Sequence, residues 1–155
     1  QRSALSARID VPNGDGTSTT LNLVNLHTEN KANAKVRRKQ YDAVVAELVL
    51  PGEPTIVAGD LNTISPFEGS SFRKYLEQRW AELGPSGAQF DCSRGDDTDT
   101  FSAVGVVRMR IDWVLLQPGS ESGPACPVGS YRVLDNEGAS DHRPVQTDFV
   151  LTPAG

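Results

Sequence analysis

The 155-residue sequence lacks the features that mark several specialised classes of protein. Two cysteines are too few for a disulfide framework, and they lack the C-x-x-C spacing of a zinc site. No segment approaches the ~18 uninterrupted apolar residues of a membrane-spanning helix. Residues 1–9 also lack the apolar run of a signal peptide. We therefore expect a soluble chain that has already been processed or trimmed.

Positive charge is also in deficit. Fifteen Lys and Arg against twenty Asp and Glu give a net charge of -5, so no overall positive field attracts nucleic acid, and binding to phosphate polymers requires a local site or a metal. The apolar share of 37% together with 14 glycines is that of an ordinary globular protein, which excludes disorder, collagen and coiled coil. The length suits one domain or one piece of a larger domain.

Cys92 and Cys126 lie in two Gly-, Ser- and Pro-rich segments, residues 86–99 and 117–130. A bridge between them would tie together segments with few apolar residues, as is useful in an exported protein. The alternative is a pair of unpaired cytosolic thiols. We favour the bridge, and with it a secreted or extracytoplasmic location; a cytoplasmic location goes with the alternative.

Strand and helix patterns alternate along the chain without internal repeats. Polar and apolar residues alternate before and after the turn residues 13–16, which predicts a hairpin. A helix is predicted next, followed by a short buried strand, a second helix with Ser65 as its N-cap, and a long loop. The predicted hairpin strands span 5–11 and 20–26, the further strands span 55–58, 110–116, 131–134 and 145–151, and the loop spans 84–99. The first predicted helix spans 31–50, with its apolar positions at Val36, Ala43, Val44 and Leu48. The second begins at residue 66, with its apolar positions at Phe72, Tyr75, Leu76 and Trp80.

Polar side chains gather where predicted strands end. Asp60 and Asn62 are two residues apart after a buried strand, so they lie on one side of an extended chain and can share a ligand; the simpler reading is an Asx turn. Asp112 lies inside an apolar strand, where a carboxylate needs a partner to offset its desolvation. His142 and Arg110 are the two candidate partners.

Four motifs in this order resemble those of the endonuclease/exonuclease/phosphatase family of metal-dependent phosphoesterases. N-L-H-T at residues 25–28 resembles the family's strand that ends in histidine. A-G-D-L-N at 58–62 matches its G-D-x-N motif, and R-I-D-W-V at 110–114 matches its R-I-D-[YW]-[IV] strand. S-D-H-R-P at 140–144 matches S-D-H-x-P. The order of all four is far more specific than any one of them.

The resemblance implies an α/β fold, namely the C-terminal part of a two-sheet sandwich with a mixed sheet and helices on its outer face. We therefore interpret residues 1–155 as the C-terminal portion of one such domain, with the N-terminal half absent from this chain. That half would supply the glutamate that is the family's main metal ligand, and no Glu precedes His27 here. The chain is then a fragment or a cleavage product.

By analogy with the family, the catalytic residues are His27, Asp60, Asn62, Asp112 and His142. Asp60 and Asn62 would position the attacking water. His142 would contact the phosphate as a cation while Asp112 accepts its other ring N–H. His27 would make a second phosphate contact, although a structural strand-end histidine is the simpler reading.

The implied cofactor is Mg²⁺ or Mn²⁺, held by Asp60, Asn62 and Asp141. The predicted function is metal-dependent phosphoester hydrolysis of the phosphodiesterase or nuclease type, on nucleic acid, a phospholipid or a small phosphodiester. The fragment alone is expected to be inactive. Its inner sheet face is expected to be covered by the missing half or a second copy, with apolar residues at Leu23, Ile56, Ala58, Ile111, Val114 and Leu116. The alternative is a binding or assembly module without turnover.

Overall fold

The computed structural model describes residues 2–31, 33–50, 52–64, 66–81, 91–93, 99–103, 107–117, 119, 124–126 and 130–151. The helices are α1 (Ala34–Leu48) and α2 (Pro66–Ala81). The strands are β1 (Ala4–Pro12), β2 (Ser18–His27), β3 (Thr55–Asp60), β4 (Phe101–Ala103), β5 (Val107–Met109), β6 (Asp112–Gln117), β7 (Pro124–Ala125), β8 (Arg132–Val133), β9 (Val145–Gln146) and β10 (Val150–Leu151). Within this part of the chain, no helix is long and apolar enough to cross a membrane.

Four strands form a mixed sheet in the order β1-β2-β3-β6. The predicted hairpin is present, because β1 and β2 pair antiparallel across the turn at residues 13–17. Strand β3 then pairs parallel with β2, with α1 as the connection, and antiparallel with β6. The mixed sheet with helices confirms the predicted α/β class.

The two helices cover one face of this sheet. The first helix starts later than predicted because the side chain of Asn33 caps it, accepting a hydrogen bond from the backbone nitrogen of Val36 at 3.2 Å. Its buried side also differs from the prediction: Val36 is 36% exposed, and Arg37 is buried because Glu68 binds its guanidinium. The core on this face comprises Val24, Leu26, Tyr41, Val45, Val49, Val57, Leu61, Phe72, Leu76, Trp113 and Leu115.

Among the described residues, the opposite face of the sheet is covered at one side only. Over β6, Val114 and Leu116 are buried beneath a disulfide between Cys92 and Cys126, whose Cα atoms are 5.6 Å apart. The predicted bridge is therefore present, and it covers part of the face that we expected to be open. The exposed apolar residues of this face lie instead on β1, where Leu5 is 72% and Ile9 is 40% exposed.

Several boundaries differ from the sequence prediction. The predicted strand 145–151 is divided, because β9 pairs with β8 whereas β10 pairs with β7. The hairpin of β4 and β5 was not predicted. Part of the predicted loop 84–99 lies along β6, where the backbone nitrogen of Cys92 donates to the carbonyl of Val114 at 2.9 Å. Residue 65, residues 84–90 and 94–98, and the side chain of Trp80 lie outside the described part.

Candidate active site

Three predicted catalytic residues form a row across the central sheet. His27 ends β2, Asp60 ends β3 and Asp112 begins β6. The strand register places His27 beside Asp60 and Asp60 beside Asp112. Because paired residues point to the same face of a sheet, all three lie on the face opposite the helices. The closest approach of His27 and Asp60 is 3.3 Å, between Nε2 and Oδ2.

The chain must bend sharply after β3 to bring Asn62 to this row. Gly59 has φ 142°, and a Cβ atom there would lie 2.0 Å from the carbonyl oxygen of Leu26, so only glycine fits. Asn62 has φ 49°, a left-handed conformation that Asn tolerates better than most residues. Its backbone nitrogen donates to Oδ1 of Asp60 at 2.8 Å. This part of the motif is an Asx turn as well as a candidate ligand.

The side-chain amide of Asn62 is oriented by two acceptors. Its Nδ2 donates to the carbonyl of Thr28 at 3.0 Å and to Oδ2 of Asp60 at 3.2 Å. No group in the described part of the chain donates to its Oδ1. The amide oxygen is therefore the atom that Asn62 presents to a ligand.

The partner of Asp112 is His142, not Arg110. Nδ1 of His142 lies 3.1 Å from Oδ2 of Asp112. Arg110 instead binds Asp91 at 2.6 Å. The ring of His142 also packs edge-on against Phe101, with centroids 5.2 Å apart.

Thr100 links the segment that contains Asp112 to the segment that contains His142, and sequence reasoning missed this residue. Its hydroxyl accepts hydrogen bonds from the backbone nitrogens of Ile111 and Asp112 at 3.2 and 3.0 Å. Its carbonyl accepts from the backbone nitrogen of Arg143 at 2.7 Å. No pattern in the sequence marks this residue, because its role depends on three segments that meet only in the folded chain.

These residues surround a cavity of about 370 Å³. It contains every predicted catalytic and metal-binding side chain except Asp112, which contacts the ring of His142. Sequence reasoning missed the apolar lining, which includes Phe101 and Met109. The lining residues are His27, Asn30, Asp60, Asn62, Ile64, Phe101, Met109, Ile111, Asp141 and His142.

Electrostatics in the cavity favour a cation near Asp60. Burial raises the pKa of the Asp60 carboxyl, and the negative charge of Asp112 raises it further, while the hydrogen bond from the Asn62 backbone nitrogen lowers it. The guanidinium of Arg2 lies 3.1 Å from Nε2 of His27, which places a positive charge at the rim. No pattern in the sequence indicates this contact.

A divalent metal is implied by the resemblance, and the donor chemistry of the cavity fits one. Asp60 and Asp141 supply carboxylates and Asn62 supplies an amide oxygen, which are the hard oxygen ligands that Mg²⁺ prefers. Within the described residues, no group of three or more His, Cys, Asp or Glu side chains is arranged to hold a metal ion. An ion bound to the two carboxylates and the amide oxygen would keep several of its waters, as Mg²⁺ usually does.

The mixed sheet and the carboxylate, amide and imidazole groups at one end of it define an α/β protein with a cluster of polar and titratable side chains at the end of its sheet. The chain belongs to the Endonuclease/Exonuclease/phosphatase family, whose family model matches residues 4–142. The family's description names nucleases and phosphatases among its members. No curated protein matches the chain in sequence.

Solved structures share the fold. An endonuclease/exonuclease/phosphatase from Beutenbergia cavernae is 24% identical with a TM-score of 0.66, over 97% of this chain and 40% of its own. Humanized TDP2 from D. rerio is 18% identical with a TM-score of 0.63, over 96% and 61%. A family protein from Leptotrichia buccalis is 13% identical with a TM-score of 0.59, over 94% and 53%. This chain thus spans less than two thirds of the length of each.

Proposed function

We propose that the protein is a phosphoester hydrolase of the phosphodiesterase or nuclease type that uses Mg²⁺ or Mn²⁺. The observation that carries this proposal is the Asp112 to His142 pair, at 3.1 Å, beside a cavity that also contains Asp60 and Asn62. A carboxylate that orients an imidazole is the arrangement used where histidine must act in one fixed tautomer.

Asp60 is the residue best placed to orient the attacking water and accept its proton. Burial raises its pKa toward the pH at which a carboxylate is an effective general base. The water would lie between this carboxylate and the amide oxygen of Asn62, the atom not engaged by Thr28 or Asp60.

His142 acts on the phosphate. With Nδ1 donating to Asp112, its Nε2 is left to donate to a phosphoryl oxygen, and the carboxylate stabilises the charged ring. His27 supplies a second contact, and the neighbouring guanidinium of Arg2 adds positive charge there. Positive groups aimed at the oxygens on which charge develops account for much of the catalysis of phosphoryl transfer.

Asp60, Asn62 and Asp141 would hold the metal, whose positive charge would stabilise the phosphoryl and leaving-group oxygens. The protein residues fix where that charge lies. Asp141 is held there by its own backbone, because its carbonyl accepts a hydrogen bond from the nitrogen of Ser102 at 3.0 Å.

The decisive experiment is Asp112→Asn in the protein with its complete family domain. Substrates are bis-p-nitrophenyl phosphate, plasmid DNA, sphingomyelin and inositol phosphates, each with Mg²⁺. We expect kcat to fall about 10²- to 10⁴-fold because the imidazole loses its orienting acceptor. The folded structure should remain, and Asp10→Asn, on the exposed strand β1, is the matched control.

Full activity in Asp112→Asn would remove Asp112 from the mechanism. A wild-type protein that binds phosphoesters in the presence of Mg²⁺ but hydrolyses none of these substrates would establish the binding module instead. The substrate class that is turned over would narrow the function further.

We also propose that the open part of the inner sheet face, around Leu5 and Ile9, packs against the N-terminal half of the family domain. The matched structures are longer than this chain, which covers 40% and 61% of them, and both residues are exposed here. Light scattering tests this proposal. A chain with the upstream half should be monomeric, whereas residues 1–155 alone should self-associate and show no turnover; a monodisperse, active 155-residue chain would contradict it.

An extracytoplasmic location is the remaining proposal. It rests on the disulfide between Cys92 and Cys126, since disulfides persist in oxidising compartments. Fractionation of the source cells tests it: protein found in the cytoplasm with both thiols alkylatable would contradict it.

A further inference from the structure

A second cavity, of about 390 Å³, lies beside the catalytic cavity, with Met109 in the wall of both. It is formed between α2 and the strand segment that leads into β6. We call it the arginine cavity, after three of its lining residues. Those lining residues are Thr63, Gly69, Ser70, Arg73, Asp99, Arg108, Met109, Arg110 and Trp113.

The charge of the arginine cavity opposes that of the whole chain, which is -5. Arg73, Arg108 and Arg110 line it, and the only carboxylate in the described lining is that of Asp99. Asp91 lies behind, 2.6 Å from Arg110 and 3.7 Å from Arg73. Among these described side chains, three guanidinium groups face two carboxylates, so the described lining carries one positive charge in excess and favours an anion.

Two donors in the arginine cavity lack an acceptor within the described part of the chain. The side chain of Arg108 is exposed and forms neither a hydrogen bond nor an ion pair there. Arg110 is partly buried and stacks on the face of Trp113, 3.5 Å from the ring centroid, and no described residue accepts from its buried Nε. A buried donor without an acceptor is costly. An anion in the cavity would supply the acceptor that Arg108 lacks.

Size and position indicate which anion. The volume exceeds that of a single inorganic ion and suits a phosphate with part of the group that carries it. Met109 lines both cavities, so they lie next to each other, and an extended substrate would pass Met109 to reach both. Guanidinium groups bind phosphate well because their paired N–H donors match its oxygens.

We propose that the arginine cavity binds a second phosphate of the substrate while the scissile phosphate occupies the catalytic cavity. The substrate is then a phosphodiester that carries at least one further phosphate, as nucleotides and oligonucleotides do. The assignment of the second phosphate to a substrate rests on the proposed function; the binding of phosphate to the arginine cavity does not.

The first test titrates inorganic phosphate into the metal-free protein, in EDTA, by calorimetry. EDTA removes the metal through which the catalytic cavity would bind phosphate, and Arg108, which lines the arginine cavity but not the catalytic cavity, reports on binding in the arginine cavity. Arg108→Gln should weaken binding about tenfold, because one charge-assisted hydrogen bond is lost from an exposed side chain that the fold does not need. Arg132→Gln, on exposed β8, should have no effect. Unchanged binding in Arg108→Gln would overturn the proposal.

The second test compares thymidine 5′-(p-nitrophenyl phosphate) with and without a 3′-phosphate. The wild type should have a lower KM for the 3′-phosphorylated ester. Arg108→Gln should raise that KM about tenfold and leave kcat and the KM of the simple ester unchanged. Equal KM values in the wild type would contradict the second-phosphate site. If neither ester is hydrolysed, the proposed function fails, and the phosphate titration alone decides whether the arginine cavity binds phosphate.

Discussion

Asp91 lies beside β6 and Asp112 begins it. The bases that these two carboxylates bind lie in very different surroundings. The side chain of Asp91 is completely buried, and its partner Arg110 is sandwiched between it and the ring of Trp113. Asp112 is 18% exposed, and its partner His142 is 36% exposed at the edge of the catalytic cavity. We call these the buried pair and the cavity pair.

The comparison shows that burial decides the role of each pair. An arginine keeps its charge even though burial lowers its pKa, because Asp91 opposes that shift, so the buried pair is a permanent structural link. The imidazole of His142 contacts Asp112 through Nδ1, so its other ring nitrogen remains available to a substrate. The cavity pair therefore suits chemistry, whereas the buried pair suits the fold.

The largest expected effect is on the buried pair. Asp91→Ala should lower the free energy of unfolding by about 3 to 5 kcal/mol, because it leaves the Arg110 charge buried without its carboxylate. Urea denaturation of the chain measures this. Asp141→Ala is the control, since Asp141 is exposed and should cost little. A loss below 1 kcal/mol in Asp91→Ala would show that the buried pair does not stabilise the fold.

Removing the disulfide tests whether the buried pair acts alone. Cys92 follows Asp91 in the chain, and its disulfide holds the segment that contains both residues against β6. Replacing both cysteines with serine should cost about 4 kcal/mol by the chain-entropy relation for a separation of 34 residues. In combination with Asp91→Ala, the two losses should be less than additive, since both release one segment. Full additivity in urea denaturation would mean that the bridge and the buried pair stabilise different parts of the molecule.

Thr100 supports the cavity pair through hydrogen bonds to the backbone. Replacing it should lower the free energy of unfolding by less than Asp91→Ala does. Thr100→Val keeps the shape but leaves the backbone nitrogens of Ile111 and Asp112 without their acceptor, at a cost of about 1 to 3 kcal/mol. Thr100→Ser keeps the hydroxyl and is the matched control. If valine and serine have the same stability, the two hydrogen bonds contribute nothing.

The smallest expected effect on stability is that of breaking the cavity pair itself. Asp112→Asn should change the free energy of unfolding by about 1 kcal/mol or less, because half-exposed ion pairs contribute little. The same substitution should have the large effect on kcat described above. A loss as great as that of Asp91→Ala would assign the cavity pair a structural role.

Much of the central fold was predictable, because its signals are local. The alternation in β1 and β2, the turn residues between them and the apolar run of β3 each depend on neighbours in sequence. The β4 and β5 hairpin was not predictable, because three residues in each strand show no period. The burial of Arg37 was missed for a related reason: its partner Glu68 lies on another helix.

The candidate site shows the same division. The four motifs were enough to name the predicted residues, and the structure brings them to one cavity, with Asp112 behind His142. Their roles remain predictions. Arg2, Thr100 and the arginine cavity could not be predicted, because each depends on a contact between segments far apart in the chain.

The sequence by itself determined the family, the mixed sheet's main strands and the order of the motifs. Each of these depends on residue type and spacing along the chain. The residues alone left two questions open, whether the two cysteines pair and whether Asp112 binds His142 or Arg110, although the family resemblance favoured His142. The tertiary structure decided that the cysteines pair, that Asp112 binds His142 and that Arg110 binds Asp91. Both acids and both bases are chemically able to exchange partners, so the choice depends on distance and burial, which arise when β6 meets the segments at 91–93 and 140–143.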